Sequence, residues 1–294
     1  MPPQRPPSLA GPRNRHERRG SGACLANAGG RRRSNSAGHP PRNNGPITVM
    51  PHHYDIDHIF EDWPHQPGVV SARLVRAHDG RDVLQMRIEL GVLQMEVDGR
   101  PDGEQPSGHK TLLDAVMAEA AAVGEAFVLQ EDQCFELDRE FLQFYHRRIC
   151  WLALREFERA IVDADHTLAM MDFGAAHSPD PQWTLLHEQY RPFVLFHRTQ
   201  AAALLRLQTS TPERAVEEIN AGLSRIHEVF EGLEAQEQFE EDELVGQLVH
   251  LKESLREEYH LGRTLAEQLS DAIAAEEYER AARLRDQIRR RSPS

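Results

Sequence analysis

Potential metal ligands are densest in residues 51–65, whose sequence is PHHYDIDHIFEDWPH. Imidazole and carboxylate groups suit zinc and other borderline metals. The segment carries them at His52, His53, Asp55, Asp57, His58, Glu61, Asp62 and His65. A packing arm explains the same segment without a metal, because its apolar residues recur at helical spacing and Pro64 would end such a helix. The apolar residues at this spacing are Ile56, Ile59, Phe60 and Trp63. We favour the arm and expect no metal.

Two histidines stand beside charged residues that could assist acid–base chemistry. His187 precedes Glu188, and His197 precedes Arg198. Each pair lies in a helical pattern, and neither is associated in sequence with a nucleophile, a glycine-rich loop or a metal-ligand cluster. The sequence therefore predicts a protein that is not an enzyme and needs no cofactor.

A compact loop, DGRPDG at residues 98–103, carries two acids and one arginine on a fixed turn. Loops on rigid scaffolds often hold ligands, so Asp98, Arg100 and Asp102 form a candidate ligand or metal site. The Asp-Gly and Pro-Asp-Gly steps are also ordinary turn chemistry. We favour the turn.

The strongest pattern for binding another protein lies in residues 265–291. Apolar positions recur at helical spacing in two stretches, and the phase changes at residues 274–277. Acidic residues lie at the expected start of the second helix and three arginines lie at its end. The helix dipole favours negative charge at the start of a helix and positive charge at its end. The pattern predicts an antiparallel helical hairpin with a tight turn at 274–277. Two short helices leave an apolar seam uncovered, so the hairpin should need a partner.

Nine residues of this hairpin are the predicted partner-binding set. They are Leu265, Leu269, Ala272, Tyr278, Ala281, Ala282, Leu284, Arg285 and Ile288. Residues three or four apart share a helix face, so those of the second stretch are expected to form one stripe. We expect Arg285 to lie over the seam and pair with an acid of an opposing hairpin, with Asp286 outside.

The second stretch, YERAARLRDQI at residues 278–288, resembles the UVR motif found in the B and C components of the bacterial excinuclease. The same motif occurs in Clp-ATPase adaptor proteins. The resemblance covers about a tenth of the chain. It implies a helical hairpin that pairs with a second copy of the motif on a partner protein.

Other features of those families are missing from the sequence. The three cysteines, Cys24, Cys134 and Cys150, include no close pair, so neither a disulfide framework nor the CxxC zinc site of the Clp adaptors can form within one chain. The GxxxxGK[ST] phosphate loop of an ATPase and a nuclease pattern are also absent. The chain shares the motif but not the catalytic machinery.

Charge changes sign along the chain. Residues 1–46 hold nine arginines and one acid, a balance of +8, whereas residues 47–294 hold 25 basic and 46 acidic side chains, a balance of −21. The first part is also rich in Pro, Gly and Ser, so we expect residues 1–49 to be a disordered basic tail, unless translation starts at Met50. The acidic body should repel phosphate backbones and bind no nucleic acid directly.

Neither a bilayer-spanning apolar run nor a secretory signal is apparent in the sequence. We therefore expect a cytoplasmic protein with no membrane partner.

An arm and a small sheet are predicted for residues 50–109. From residue 68 the apolar period is two, and Asp79-Gly80 supplies a tight turn. Leu90 is expected to continue the second strand, and Gly91 to form a bulge or bend. The result is a three-stranded antiparallel meander. The segment at 90–103 resembles an uncharacterised planctomycete family of UVR-containing proteins, which implies no activity.

Helices are predicted for the rest of the chain. Residues 110–232 form a helical bundle in which an aromatic-x-x-Ala pattern at Phe157 and Ala160 is echoed at Ala215, similar to tetratricopeptide helix pairs. The two alanines are 55 residues apart, so a simple bundle remains equally open. One helix is expected from Trp183 to Leu207. The predicted fold class is α+β, mainly α.

An acidic connector at residues 233–260 should lead to the hairpin at 261–291. Its leucines, Leu244, Leu248, Leu251 and Leu255, form a coiled-coil seam, and both dimerisation and intrachain packing are open.

Taken together, these features predict a non-catalytic interaction or adaptor protein that docks through the hairpin. Its partner would carry a UVR hairpin on a component of the excinuclease or of a Clp-type system, or be another copy of this chain. The alternative is an accessory factor of nucleotide-excision repair recruited through the B or C component of the excinuclease.

Overall fold

A computed structural model describes residues 56–291, and the chain divides into two units after Pro64. In the first unit a helix of six residues, α1 (Asp57–Asp62), is followed by Trp63 and then Pro64. A proline disfavours the helical conformation of the residue before it, which explains this end. The short helix predicted for the arm is therefore confirmed. The candidate ligands His52, His53 and Asp55 lie outside the described residues.

The second unit begins with a three-stranded antiparallel sheet in the order β1-β2-β3. Its strands are β1 (Ser71–Arg76), β2 (Asp82–Ile88) and β3 (Gly91–Glu96). Leu84 pairs with Leu74 on one side and with Met95 on the other, which puts all three on one face of the sheet. Gly80 has φ +87° in the first connection, a conformation that glycine adopts at no steric cost. The predicted meander is confirmed.

The second connection differs from the prediction. Ile88 pairs with Gly91, so Glu89 and Leu90 form a two-residue turn between β2 and β3. Leu90 is 89% exposed instead of extending β2, and Gly91 is the first residue of β3 instead of a bulge. A hairpin with this register needs two residues to reverse the chain, and the apolar alternation alone did not reveal which two.

Eight α-helices precede the C-terminal hairpin in the part of the second unit that the structure describes. They are α2 (Leu112–Val123), α3 (Glu131–Leu154), α4 (Phe157–His177), α5 (Pro181–Glu188), α6 (Arg191–Thr209), α7 (Pro212–Gly232), α8 (Gln236–Phe239) and α9 (Glu243–Tyr259). Helix α4 packs against α3 and α6, and α6 packs against α7. The α+β, mainly α fold class is confirmed, and the long helices form a bundle.

The single helix predicted from Trp183 to Leu207 is wrong. The structure has α5 and α6 instead, with a break at Gln189 and Tyr190. Pro192 lies in the first turn of α6. A proline at this position has no amide to donate to the carbonyl of Glu188, and its ring would clash with that carbonyl in a continuous helix.

Separate apolar cores hold the bundle together. Leu84 and Met95 of the sheet pack with Trp151 of α3 and Phe157 of α4. A second core joins α6, α7 and α9, and the predicted seam residues Leu248 and Leu255 are buried in it, while Leu244 and Leu251 are partly buried against it. The seam predicted for a coiled coil is therefore used for packing within the chain.

The alanines that suggested repeated helix pairs belong to different cores. Ala160 is buried with the sheet residues, whereas Ala215 is buried in the core of α6, α7 and α9. The tetratricopeptide-like arrangement stays a prediction.

Candidate docking site on the C-terminal hairpin

The described part of the chain ends in two helices joined by a short turn, α10 (Leu265–Ala274) and α11 (Tyr278–Arg291). The Thr264 hydroxyl accepts from the amide of Glu267 at 3.2 Å, and the Glu267 carboxylate accepts from the amide of Thr264 at 2.8 Å. This reciprocal capping box satisfies two amides that a helix start otherwise leaves unpaired. It explains why α10 begins at Leu265.

The turn after α10 is a Schellman motif. Glu276 adopts the left-handed conformation with φ 58° and donates to the carbonyl of Ile273 at 3.0 Å. Glu277 donates to the carbonyl of Ala272 at 2.7 Å. These bonds satisfy the last carbonyls of α10 and reverse the chain. The turn predicted at residues 274–277 is confirmed.

Five of the nine predicted partner-binding residues close the hairpin on itself. Ala272, Ala281 and Leu284 are buried in a small core. Leu265 and Leu269 of α10 pack against them. Small alanines on facing helices allow close approach, and the leucines fill the remaining space. These side chains first stabilise the hairpin, and their contact with a partner stays a prediction.

The other four predicted residues lie in two environments. Ile288 is half-buried on the face of α11 that also carries Ala281 and Leu284, at a spacing of three to four residues. Tyr278 is 69% exposed, Ala282 is half-buried, and Arg285 is exposed. The predicted single stripe is therefore two adjacent stripes on α11.

Ile273 of α10 is not in the predicted binding set, although it is 57% exposed. It follows the buried seam residue Ala272 directly. Ile273 is apolar but lies one position past the repeat of Leu265, Leu269 and Ala272, and this was the signal that could have identified it. A residue at such a position lies beside the seam and not within it.

Helical geometry places the outward residues on one side of the hairpin. Each residue is rotated by about 100° from the preceding one, so Ile273 lies about a quarter turn past Ala272, and Ala282 the same distance past Ala281. Because α10 and α11 run antiparallel, the residue that follows a seam residue points to the same side of the hairpin on both helices. Ile273 and Ala282 therefore lie on one side. We call Ile273, Tyr278, Ala282 and Arg285 the outer flank.

The charge on α11 is strongly positive. Six arginines and two acids lie between Tyr278 and Arg291. Arg285 is 72% exposed at its side chain and lies 3.6 Å from Asp286, which is 57% exposed. Such exposed pairs contribute little stability because water and salt screen them. Asp286 lies outside as predicted, and the pairing of Arg285 with a partner's acid stays a prediction.

The two histidines considered for acid–base chemistry have structural contacts. His187 Nδ1 lies 3.0 Å from the carbonyl of Trp183, and its Nε2 lies 3.0 Å from Asp138. His197 is buried, and its Nδ1 accepts from Arg148 Nε at 3.3 Å. Burial and then the nearby Arg148 cation hold the pKa of His197 well below its usual value. Both rings therefore act as packing and hydrogen-bonding groups of the bundle.

The loop at residues 98–103 anchors the sheet to the helices. The side chain of Arg100 is 1% exposed and lies 3.2 Å from Asp102 and 2.9 Å from Glu136 of α3. Arg147 of α3 donates to the carbonyl of Gly99 at 2.8 Å. With its arginine occupied inside the protein, the loop has the structural role that its turn sequence favours.

Residues 56–291 contain no group of three or more His, Cys, Asp or Glu side chains arranged to hold a metal ion. Cys134 and Cys150 are free and buried, and burial raises the pKa of the Cys150 thiol to about 12. Within the same residues no helix has the length and apolar character needed to cross a membrane.

Comparison with known protein families identifies one motif in the chain. The family model described as the UvrB/uvrC motif matches residues 263–290, which span both hairpin helices. The chain therefore contains a UVR motif, as the resemblance implied. No curated protein and no solved structure was found to match the chain significantly.

Proposed function

We propose that this chain is a non-catalytic interaction protein that docks through its UVR hairpin onto a UVR hairpin of another molecule. The outer flank supports this most directly. Ile273 and Tyr278 expose apolar surface on either side of the turn, next to the small side chain of Ala282. Burial of a large apolar side chain contributes about 1.5–3 kcal/mol before association costs, so two such residues give a weak site that further contacts must strengthen.

The charge of the hairpin restricts the kind of partner. Arg285 and Arg289 lie four residues apart on α11 and are exposed, so the flank is apolar near the turn and cationic towards the C-terminus. A partner helix should place acidic residues opposite these arginines and apolar residues opposite Tyr278. A component of the excinuclease, a component of a Clp-type system or another copy of this chain are the proposed partners.

The alternative is an accessory factor of nucleotide-excision repair, and the match to the UvrB/uvrC motif supports it. Under this alternative the chain reaches DNA through the B or C component of the excinuclease. The acidic balance of −21 after residue 46 opposes direct contact of the body with phosphate backbones. Both proposals describe a cytoplasmic protein.

A binding assay with purified partners tests the proposal. The immobilised full-length chain is offered the B and C components of the excinuclease, a Clp ATPase and its own free form. Ala282→Glu introduces a charge at the centre of the outer flank and should abolish retention of the true partner. Gln287→Glu changes an exposed residue outside the flank and is the matched control.

Retention of a Clp ATPase supports an adaptor, and retention of an excinuclease component supports the repair factor. Circular dichroism should show the same helical content in both variants. If Ala282→Glu retains every partner as well as the parent chain does, docking through the outer flank must be abandoned.

A further inference from the structure

The hairpin has a core of its own and a short connection to the bundle. Its buried residues pack with one another, whereas Leu255 and Leu261 pack in the core of α6, α7 and α9. Helix α9 ends at Tyr259 and is followed by a left-handed His260 with φ 53°, and Leu261 donates to the carbonyl of Arg256 at 2.9 Å. Gly262 and Arg263, which follow, are exposed. The chain can therefore change direction at residues 262–263 without disturbing either core.

Three charged side chains span this connection. Arg256 Nη2 of α9 donates to both carboxylate oxygens of Glu267 on α10, and Lys252 Nζ lies 3.9 Å from the same carboxylate. The side chains of all three are 15–17% exposed. Solvent screens a pair at this depth less than it screens a surface pair. Two cations of the bundle thus converge on one acid of the hairpin.

Glu267 has a second role, because its carboxylate also accepts from the amide of Thr264 in the capping box. Burial opposes its charged form, but the Thr264 amide and the Arg256 guanidinium outweigh this effect and hold the pKa of Glu267 below its usual value. The carboxylate stays ionised at neutral pH. The same group starts α10 and ties it to α9.

The closed arrangement leaves one polar group unsatisfied. Arg256 Nη1 donates to Glu253 at 2.8 Å, but Arg256 Nε is buried without a hydrogen-bond partner. A buried donor without an acceptor loses its hydration without compensation, which offsets part of the attraction between Arg256 and Glu267.

We propose that Glu267, Arg256 and Lys252 form an ionic latch that fixes the orientation of the hairpin on α9, and that the hairpin pivots about residues 262–263 when the latch opens. Glu267 lies about 200° around α10 from Leu265, on the side away from the seam, so the latch and the outer flank occupy different faces of α10. The closed latch presents the outer flank in one orientation and lowers the ordering cost of docking.

Distance measurements by pulsed electron–electron double resonance on the full-length chain test the latch. Spin labels are attached at His250→Cys in α9 and Gln287→Cys in α11, two exposed positions, with Cys24 replaced by Ser. Cys134 and Cys150 remain, because both are buried. The parent should give one narrow distribution of distances between the two labels. Glu267→Gln should lose it, because glutamine still closes a capping box but carries no charge for Arg256.

Arg256→Gln should lose the narrow distance in the same way while leaving the capping box intact. Glu279→Gln is the matched control, since Glu279 is an exposed acid at the start of α11 and lies away from the pivot in sequence. A narrow distance retained in Glu267→Gln or in Arg256→Gln would overturn the latch. Loss of amide protection throughout α10 in Glu267→Gln would also overturn it, because Glu267 would then act as a cap alone.

Discussion

Gly222 of α7 faces Thr199 of α6 at a distance that excludes any side chain. A Cβ built on Gly222 would lie 2.1 Å from Oγ1 of Thr199 and 2.2 Å from its Cγ2. Thr199 is 2% exposed, so its side chain has little room to move away. The two helices therefore approach at a point where only glycine fits.

Gly222→Ala should lower the free energy of unfolding by about 1–3 kcal/mol, because the added methyl group forces α6 and α7 apart. Chemical denaturation measures the change. Gly246→Ala in α9 is the matched control: a Cβ there meets nothing within 4 Å, and replacing glycine inside a helix should stabilise by about 0.5–1 kcal/mol. Equal midpoints for Gly222→Ala and the parent would contradict the close approach.

Truncations on the two stripes of α11 should have different effects. Leu284→Ala removes a buried side chain from the hairpin core and should cost about 2–5 kcal/mol of hairpin stability, seen as faster amide exchange in α10 and α11. Tyr278→Ala, at a position 69% exposed, should change stability by less than about 0.5 kcal/mol but weaken docking. If Tyr278→Ala destabilised the hairpin as much as Leu284→Ala does, the division into seam and outer flank would be wrong.

Glu140 of α3 should be among the most sensitive acids in the described bundle. It is 0% exposed and accepts from the amides of Leu112 at 2.7 Å and Leu113 at 3.2 Å, at the start of α2. Its Oε1 also lies 2.9 Å from His166 Nε2. Glu140→Ala leaves the amides of the buried residues Leu112 and Leu113 without their acceptor and should cost about 3–5 kcal/mol in urea unfolding.

The control for Glu140 is Glu119→Ala, which removes an exposed carboxylate bonded to Gln133 at 2.7 Å. It should change stability by less than about 0.5 kcal/mol. Comparable losses for the two variants would show that the start of α2 does not depend on Glu140.

The contribution of Glu267 should depend on pH. Its folded-state pKa is below the ordinary value of 4.5, so its ionised form contributes stability above that value and the contribution is lost as pH falls through the lowered pKa. The difference in unfolding free energy between the parent and Glu267→Gln should be largest near neutral pH and shrink under acid conditions. A difference that stays constant from pH 7 to pH 3 would show that the carboxylate charge is not the stabilising feature.

The sequence by itself determined the local structure around the hairpin. The phase change at residues 274–277 marks the turn, and the capping box of Thr264 and Glu267, which was not predicted from the sequence, is equally local. These features act between residues a few positions apart, so their geometry follows from helix periodicity and short-range hydrogen bonds. The β-meander was predictable for the same reason, since strand alternation and the Asp79-Gly80 turn are local.

The tertiary structure decided which polar groups became structural. Arg100 was a candidate ligand residue in a surface turn, and Glu140 gave no sequence signal, yet both are buried where the sheet loop meets α2 and α3. Some of their partners are distant in sequence: Leu112 is 28 residues from Glu140, and Glu140 is 40 residues from Arg100. Periodicity identifies an apolar face but cannot identify a distant partner that makes a buried charge tolerable.

Tertiary packing also decided which apolar faces remained available. The spacing of the α9 leucines fits contact with a second chain and contact with α6 and α7 equally well, and the structure buries Leu248 and Leu255 within the chain. On the hairpin, Ala281 and Ala282 are adjacent and chemically identical, but Ala281 is buried against α10 while Ala282 faces the outer flank. Adjacent side chains on a helix point about 100° apart. The direction from which the neighbouring helix packs therefore decides which of the two alanines is in the seam and which is free for docking.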